Sequence, residues 1–242
     1  FLGPDRNGTV TAIDTARDWN EKPPRLLWRQ PIGAGWSGFA VSGDAAFTQE
    51  QRGAEEVVTC YALLTGELRW KHTDETRYET VIGGIGPRAT PTVDGAHVFS
   101  YGATGILNCL ERNTGKSLWR RDTLKENGRG APNEWGMSGS PLVYNGLVIV
   151  TVGGSPDRSL VAYARSSGEP RWHAGDASGG YSSPLLTQLA GISQVIVVNH
   201  ESIDAHDAQT GAVLWSHPWP GKFPKVAQPV VVANDQIVVS SG

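Results

Sequence analysis

Only two cysteines and one methionine occur in 242 residues, and neither cysteine belongs to a CxxC, a CxxCH or a cysteine and histidine cluster. Zinc, c-type haem and thioredoxin chemistry therefore lack the ligands they need. The six histidines, at 72, 97, 173, 200, 206 and 217, are scattered without metal spacing. No apolar stretch approaches the roughly 20 residues that cross a bilayer as a helix, so no transmembrane segment is expected. The net charge of -3 and pI near 6.1 leave no electrostatic footprint for nucleic acid. GxSxG, phosphate-loop and HExxH signatures are missing, which removes local support for hydrolase, nucleotide and zinc-protease chemistry. The chain opens at Phe1 with no positively charged start followed by an apolar run, so any export signal is expected upstream or already removed.

What is plentiful is glycine, proline and tryptophan, at 30, 15 and 9 residues. With little helical periodicity, that composition favours an all-β chain with many turns. The tryptophans then show an internal repeat. "CYALLTGELRW", "CLERNTGKSLW", "AYARSSGEPRW" and "AHDAQTGAVLW" keep a fixed interval from the turn glycine to the tryptophan, and Trp70, Trp119, Trp172 and Trp215 stand 49, 53 and 43 residues apart. That is the period of four short strands with loops, as in a propeller blade. A second marker keeps step: a proline before a short apolar strand, at Pro91, Pro141, Pro184 and Pro229, with Ala40 expected in the same slot of the first unit. Proline is tolerated at a strand start, where its missing N–H need not join the ladder.

Each unit thus reads as strand A after the proline, an Asp-Gly or Asn-Gly hairpin, strands B and C, a Thr-Gly turn, and strand D carrying tryptophan. In the turn the glycine takes positive φ, and the Asp207 carboxylate is placed to accept turn N–H groups. One four-stranded blade cannot bury both faces, so stacking against the next blade is required, with the indoles as filler. The expected blades cover about 38–75, 89–124, 138–175 and 181–219, with a partial blade at 226–242. "RLLWRQPIG", about 25–32, reads as an isolated strand D with Trp28 in the tryptophan position, after an N-terminal extension at 1–24. The expectation is an open arc, part of a larger seven- or eight-bladed propeller.

Cys60 and Cys109 each stand six residues before the turn glycine, in equivalent slots of adjacent blades; Ala162 and Ala205 fill that slot elsewhere. Stacked sheets lie about 10 Å apart, beyond the roughly 7 Å Cα separation of a disulfide. Two buried, reduced thiols are expected.

The phrase Ala205, Asp207, Thr210, Gly211, Trp215 fits AxDxxTGxxxW, and in this the chain resembles the PQQ-like β-propeller repeat family, in which that phrase is the tryptophan-docking motif. Thr65, Gly66 and Trp70, then Thr114, Gly115 and Trp119, then Gly168 and Trp172, repeat it in degenerate form. The resemblance covers almost everything from Arg25 onward, and the opening "FLGPDRNG" looks like the start of the mature part of exported bacterial members. The family includes quinoprotein alcohol dehydrogenases, which bind pyrroloquinoline quinone (PQQ) and calcium at the propeller axis, and non-enzymatic relatives such as the outer-membrane assembly lipoprotein BamB. The adjacent cysteine pair of the methanol-oxidising branch is missing, and no Glu, Asn and Asp calcium set maps onto a matching motif. The resemblance accordingly implies an exported, non-catalytic scaffold, periplasmic or otherwise outside the cytoplasm, whose partner is a protein or a cell-envelope component. No cofactor or metal is expected under that reading. The alternative is an oxidoreductase using PQQ and calcium on an alcohol or sugar.

Three stretches exceed what blade packing requires. "TQEQR" at 48–52 offers Gln49 and Glu50, with a Glu50 to Arg52 surface pair as the plain reading. The connector ending in Arg88 could clamp a carboxylate or pin the loop through its carbonyls. The longest connector, from Leu124, brings Glu126, Asn127, Glu134 and Trp135, and Trp135 could stack on a planar ligand or fold over blade edges. Under the oxidoreductase alternative, Glu50, Glu126 and Glu134 are the base candidates. His206, inside the turn phrase, is expected to face solvent.

Overall fold

The computed structural model describes residues 2–3, 5–9, 16–154 and 156–240. Its strands in chain order are β1 (Ala40–Ser42), β2 (Ala45–Arg52), β3 (Glu55–Ala62), β4 (Leu68–Asp74), β5 (Glu79–Thr80), β6 (Gly84–Ile85), β7 (Thr92–Asp94), β8 (His97–Tyr101), β9 (Ile106–Glu111) and β10 (Ser117–Asp122). After a one-turn helix, α1 (Thr123–Glu126), come β11 (Leu142–Tyr144), β12 (Leu147–Thr151), β13 (Leu160–Ala164), β14 (Pro170–Ala174), β15 (Leu185–Leu189), β16 (Ile192–Val198), β17 (Ser202–Asp207), β18 (Val213–Pro218), β19 (Val230–Ala233) and β20 (Gln236–Val238). They form four four-stranded antiparallel meanders, β1 to β4, β7 to β10, β11 to β14 and β15 to β18, followed by the β19–β20 hairpin. The β5–β6 hairpin lies in the connector between the first two sheets. The architecture is an open propeller arc.

The repeated phrase works in the same way in each sheet. Gly66, Gly115, Gly168 and Gly211 have φ between +70° and +78°, and each donates its N–H to the carbonyl four residues back, at 2.8 to 2.9 Å. In the last copy Asp207 Oδ1 accepts from the N–H groups of Gln209 and Thr210 and from the Thr210 hydroxyl, as expected of a carboxylate at that turn. The tryptophans pair across the sheet with the small slot: Trp70 with Cys60, Trp119 with Cys109, Trp172 with Ala162 and Trp215 with Ala205. Each pair borders a register shift that leaves the residue before the tryptophan unpaired, the signature of a bulge that re-aims a side chain.

The indole reaches out of its own blade. A Cβ on Gly66 would lie 2.4 Å from the Trp28 ring; the same holds at 2.4 Å for Gly115 and Trp70, 2.7 Å for Gly168 and Trp119, and 2.5 Å for Gly211 and Trp172. Trp28, Trp70 and Trp119 donate their Nε1–H to the carbonyls of Leu63, Arg112 and Arg165 in the following blade, at 2.8 to 2.9 Å. Glycine is required at these turns twice over, for the positive φ and for the absent methyl group. Trp215 turns instead to Gln194 Oε1 within its own sheet.

The core lies between the blades. Phe99 and Trp119 pack with Val148, Val150 and Tyr163 between the second and third, and β16 divides its side chains, Val195 and Val197 toward the third blade and Ile196 and Val198 toward β20. Cys60 and Cys109 are free and buried. Burial raises both thiols, to about 11 and about 12.

Three sequence expectations need correction. The register places Ala40 level with Thr92, Leu142 and Leu185, so Phe39, not Ala40, fills the proline slot of the first blade. Residues 25–32 pair with no strand among those described; Trp28 takes the tryptophan position, but no strand C lies beside it. His206 is buried, not solvent-facing: it pairs with Val195, on the face that the third blade covers, and its Nδ1 lies 2.9 Å from Gly211 O. Of the N-terminal extension, positions 1, 4 and 10–15 lie outside the described residues. Arg6 is held against the inner strands, donating to the carbonyls of Pro141, Ser140 and Pro184.

Candidate functional site

Strands A and D are the opposite edges of each four-stranded sheet, and the connectors from one strand D to the next strand A come together at one end of the arc. There they enclose a cleft of about 360 Å³. Trp36 comes from the lead into β1, Ile82, Gly83 and Arg88 from the first connector, Trp135, Ser138 and Ser140 from the second, Tyr181 and Ser183 from the third, and Val226 from the fourth. Ligands in propellers collect where inner strands and connectors meet, and a mainly apolar wall with a few polar groups is the usual composition of such a site.

The floor is a belt of hydroxyls. Gly38 N–H donates to Thr90 Oγ1 at 3.0 Å, Thr90 N–H to Ser140 Oγ at 3.0 Å, and Ser140 N–H to Ser183 Oγ at 2.9 Å. Each hydroxyl stands just before a strand-A proline and ties its blade to the one before. Because a hydroxyl that accepts still carries a proton, Ser140 and Ser183 retain donors at the cleft.

The connectors are laced to one another in sequence. Tyr78 donates its hydroxyl to the carbonyls of Glu134 (2.6 Å) and Asn133 (3.0 Å), Asn133 Nδ2 donates to those of Gly179 and Gly180, and Ser138 Oγ to that of Tyr181. Trp135 and Tyr181 stack with centroids 5.2 Å apart. Burial raises the hydroxyls of Tyr78 and Tyr181 above their ordinary value, keeping both neutral.

Arg88 is the one charged residue lining the cleft among the described residues. Its Nη2 donates to the carbonyls of Gly83 and Gly84, at 2.6 and 3.0 Å, and its guanidinium carbon lies 4.8 Å from the Tyr78 ring centroid. It therefore does pin its loop, yet Nη1 is left with no hydrogen-bond partner, and so is Trp135 Nε1. Burial lowers the Arg88 pKa, but a guanidinium remains charged at neutral pH.

Of the seven candidates from the sequence, Arg88 and Trp135 come together here, and the others do not. Gln49 is buried in β2 and donates to Ala89 O at 2.7 Å, tying the first blade to the second. Glu50 does meet Arg52 at 3.1 Å, but the pair is not a surface one: the Glu50 carboxylate is buried and also accepts from the Gly33 N–H. Glu126 faces Arg121 at 3.7 Å. Asn127 caps α1 through Thr123 O and touches the Tyr163 hydroxyl. Glu134 contributes its carbonyl, with an exposed side chain. The three base candidates thus stand apart from the cleft. Sequence reasoning missed Trp36, Ile82, Tyr181 and the hydroxyl belt; the recurring Thr or Ser before a strand-A proline was the available signal.

The lining does not fit a bound PQQ and calcium pair. Calcium takes six to eight oxygen ligands, carboxylates prominent among them, and no carboxylate lines the cleft among the described residues. Of the two indoles that line it, Trp135 is already stacked on Tyr181 and Trp36 donates to Gly83 O.

A family model described as outer membrane protein assembly factor BamB matches residues 54–242. The outer membrane protein assembly factor BamB of Xanthomonas campestris pv. campestris is 30% identical over 92 residues, which is 38% of this chain and 22% of that protein. Among solved structures, quinohemoprotein alcohol dehydrogenase from Comamonas testosteroni aligns with a TM-score of 0.64 at 17% identity, covering 87% of this chain and 40% of that one. BamB from Moraxella catarrhalis aligns with a TM-score of 0.58 at 18% identity, covering 89% and 63%. At these identities the structural likenesses speak for the shared propeller fold, which hosts both catalytic and non-catalytic proteins. The chain spans less than two thirds of the length of each of these three proteins. No helix among the described residues is long and apolar enough to cross a membrane.

Proposed function

The chain belongs to the PQQ-like propeller family described as outer membrane protein assembly factor BamB, and from that premise we propose that it is an exported, non-catalytic scaffold that holds a protein partner over the axial cleft. The observation that carries this reading is the composition of the cleft. Five segments converge on a mainly apolar site with one guanidinium, while every carboxylate expected to act as a base is engaged elsewhere or lies outside it. General base chemistry needs an acceptor within hydrogen-bond reach of the substrate, and the cleft supplies donors.

In this reading the arc is part of a seven- or eight-bladed ring, the tryptophans dock blade on blade, and the protein works in the periplasm, where an assembly factor meets its clients. The quinoprotein alternative is tested by titrating the protein with PQQ and calcium while following absorbance, thermal midpoint and alcohol-dependent dye reduction. A ligand that binds only the folded state must raise the midpoint. The scaffold reading expects no shift and no turnover; a saturable shift with turnover would overturn it.

A further inference from the structure

Outside the cleft its wall continues as an apolar ridge. The β5–β6 hairpin carries Val81 and Ile82 at its tip, Val81 fully exposed and Ile82 73% exposed, and Trp36, 70% exposed, leans on the same hairpin through Nε1–H to Gly83 O at 2.9 Å. Exposed apolar side chains scattered singly need no explanation, but a contiguous set rimming a cleft marks a binding surface. Val81 lies outside the cleft lining, so a small molecule seated in the cleft would leave it uncovered. Something longer than one planar ligand is required to cover both the cleft and Val81.

Charge narrows the choice. Arg88 is the one charged group lining the cleft among the described residues, its Nη1 and Trp135 Nε1 are buried without a hydrogen-bond partner, and the Ser140 and Ser183 hydroxyls of the same lining each keep a proton. A cluster of donors around a guanidinium is matched by a carboxylate, which can accept from Arg in a charge-assisted, often bidentate pair. We propose, resting on the scaffold reading above, that the cleft and its ridge bind an extended peptide segment of a partner protein, an acidic side chain meeting Arg88 and flanking apolar or aromatic side chains covering Ile82 and Trp36.

The probe is an acetylated and amidated heptapeptide, Ser-Val-Phe-Asp-Phe-Val-Ser, compared by calorimetry with the same peptide carrying Asn in place of Asp. The full chain should bind the acidic peptide about tenfold more tightly, the scale of one charge-assisted contact. Arg88→Gln should abolish that preference. Ile82→Ser, a change at an exposed hairpin tip, should weaken both peptides by the same factor. The comparison between peptides on the unmodified protein stands even where Arg88→Gln lowers the thermal midpoint. Equal affinity for the two peptides would overturn the proposal, as would an Ile82→Ser protein that binds them normally. The two readings fail separately: turnover with PQQ and calcium removes the scaffold, whereas a lost acidic preference without turnover removes only the peptide chemistry.

Discussion

The Trp70 indole lies so close to Gly115, one blade further on, that a methyl group there would sit 2.4 Å from its ring. The same glycine closes its own Thr-Gly turn at φ +71°, so one residue answers to a local and an interblade demand. This is why the turn and the tryptophan recur at a fixed interval. Each phrase presents a glycine to the blade before and an indole to the blade after, and the repeat length carries both in register.

Gly115→Ala should therefore destabilise far more than Gly146→Ala. Gly146 also has positive φ, at +79°, but a Cβ there meets nothing within 4 Å. Left-handed backbone costs an alanine roughly 1–2 kcal/mol at either site, and overpacking against Trp70 adds a further 1–3 kcal/mol or so at Gly115. Chemical denaturation of the two variants measures the difference; equal losses would mean that the indole gives way freely.

Glu56 predicts a pH dependence. It is buried at the start of β3, level with Asp74, and its Oε2 accepts from the Ala103 N–H of the next blade at 3.1 Å. Burial pushes its carboxyl up to about 7, opposed by that N–H, reinforced by Asp74 and opposed again by Arg88. A carboxyl whose folded value is raised favours folding in its protonated form. Its contribution is fully present below about pH 4.5, its value when unfolded, and is lost as pH rises through about 7. Within that window the loss approaches about 1.4 kcal/mol per pH unit. The thermal midpoint of Glu56→Gln should fall less between pH 5 and pH 8 than that of the unmodified protein; parallel pH profiles would contradict the assignment.

The thiols should be silent in the folded state. With Cys60 at about 11 and Cys109 at about 12, almost no thiolate exists at pH 8, and both sulfurs are enclosed. A colorimetric thiol reagent should find none in the native protein and two after denaturation. Rapid reaction of either in the native state would show that the blades part more readily than the packing implies.

Much of this arrangement was legible in the sequence because the repeat is made of residues with special backbone or packing demands. Thr210-Gly211, the pre-strand prolines and the tryptophans fixed blade class and the equivalence of Cys60 with Cys109. What escaped was anything set by the relation between blades. Phe39 occupies a slot where proline was sought, because register and not residue type defines it. His206 looked like a turn residue and is covered by the third blade. Gln49 and Glu50 are polar residues on a strand, and only the stack shows that one ties blade to blade and the other holds the lead-in segment at Gly33. The cleft was half legible: Arg88 and Trp135 stand out as surplus to packing, but Trp36, Ile82 and Tyr181 come together only because all the connectors return to one end.

The proposed partner site lies at this end of the arc. Placing a photoreactive amino acid at position 82, with position 69 on β4 as the distant control, and irradiating cells that export the protein tests it directly. A discrete protein adduct from position 82, absent from position 69 and lost when Arg88→Gln is added, is the predicted result. Adducts that form equally from both positions, or none from position 82 when position 69 gives one, would contradict it.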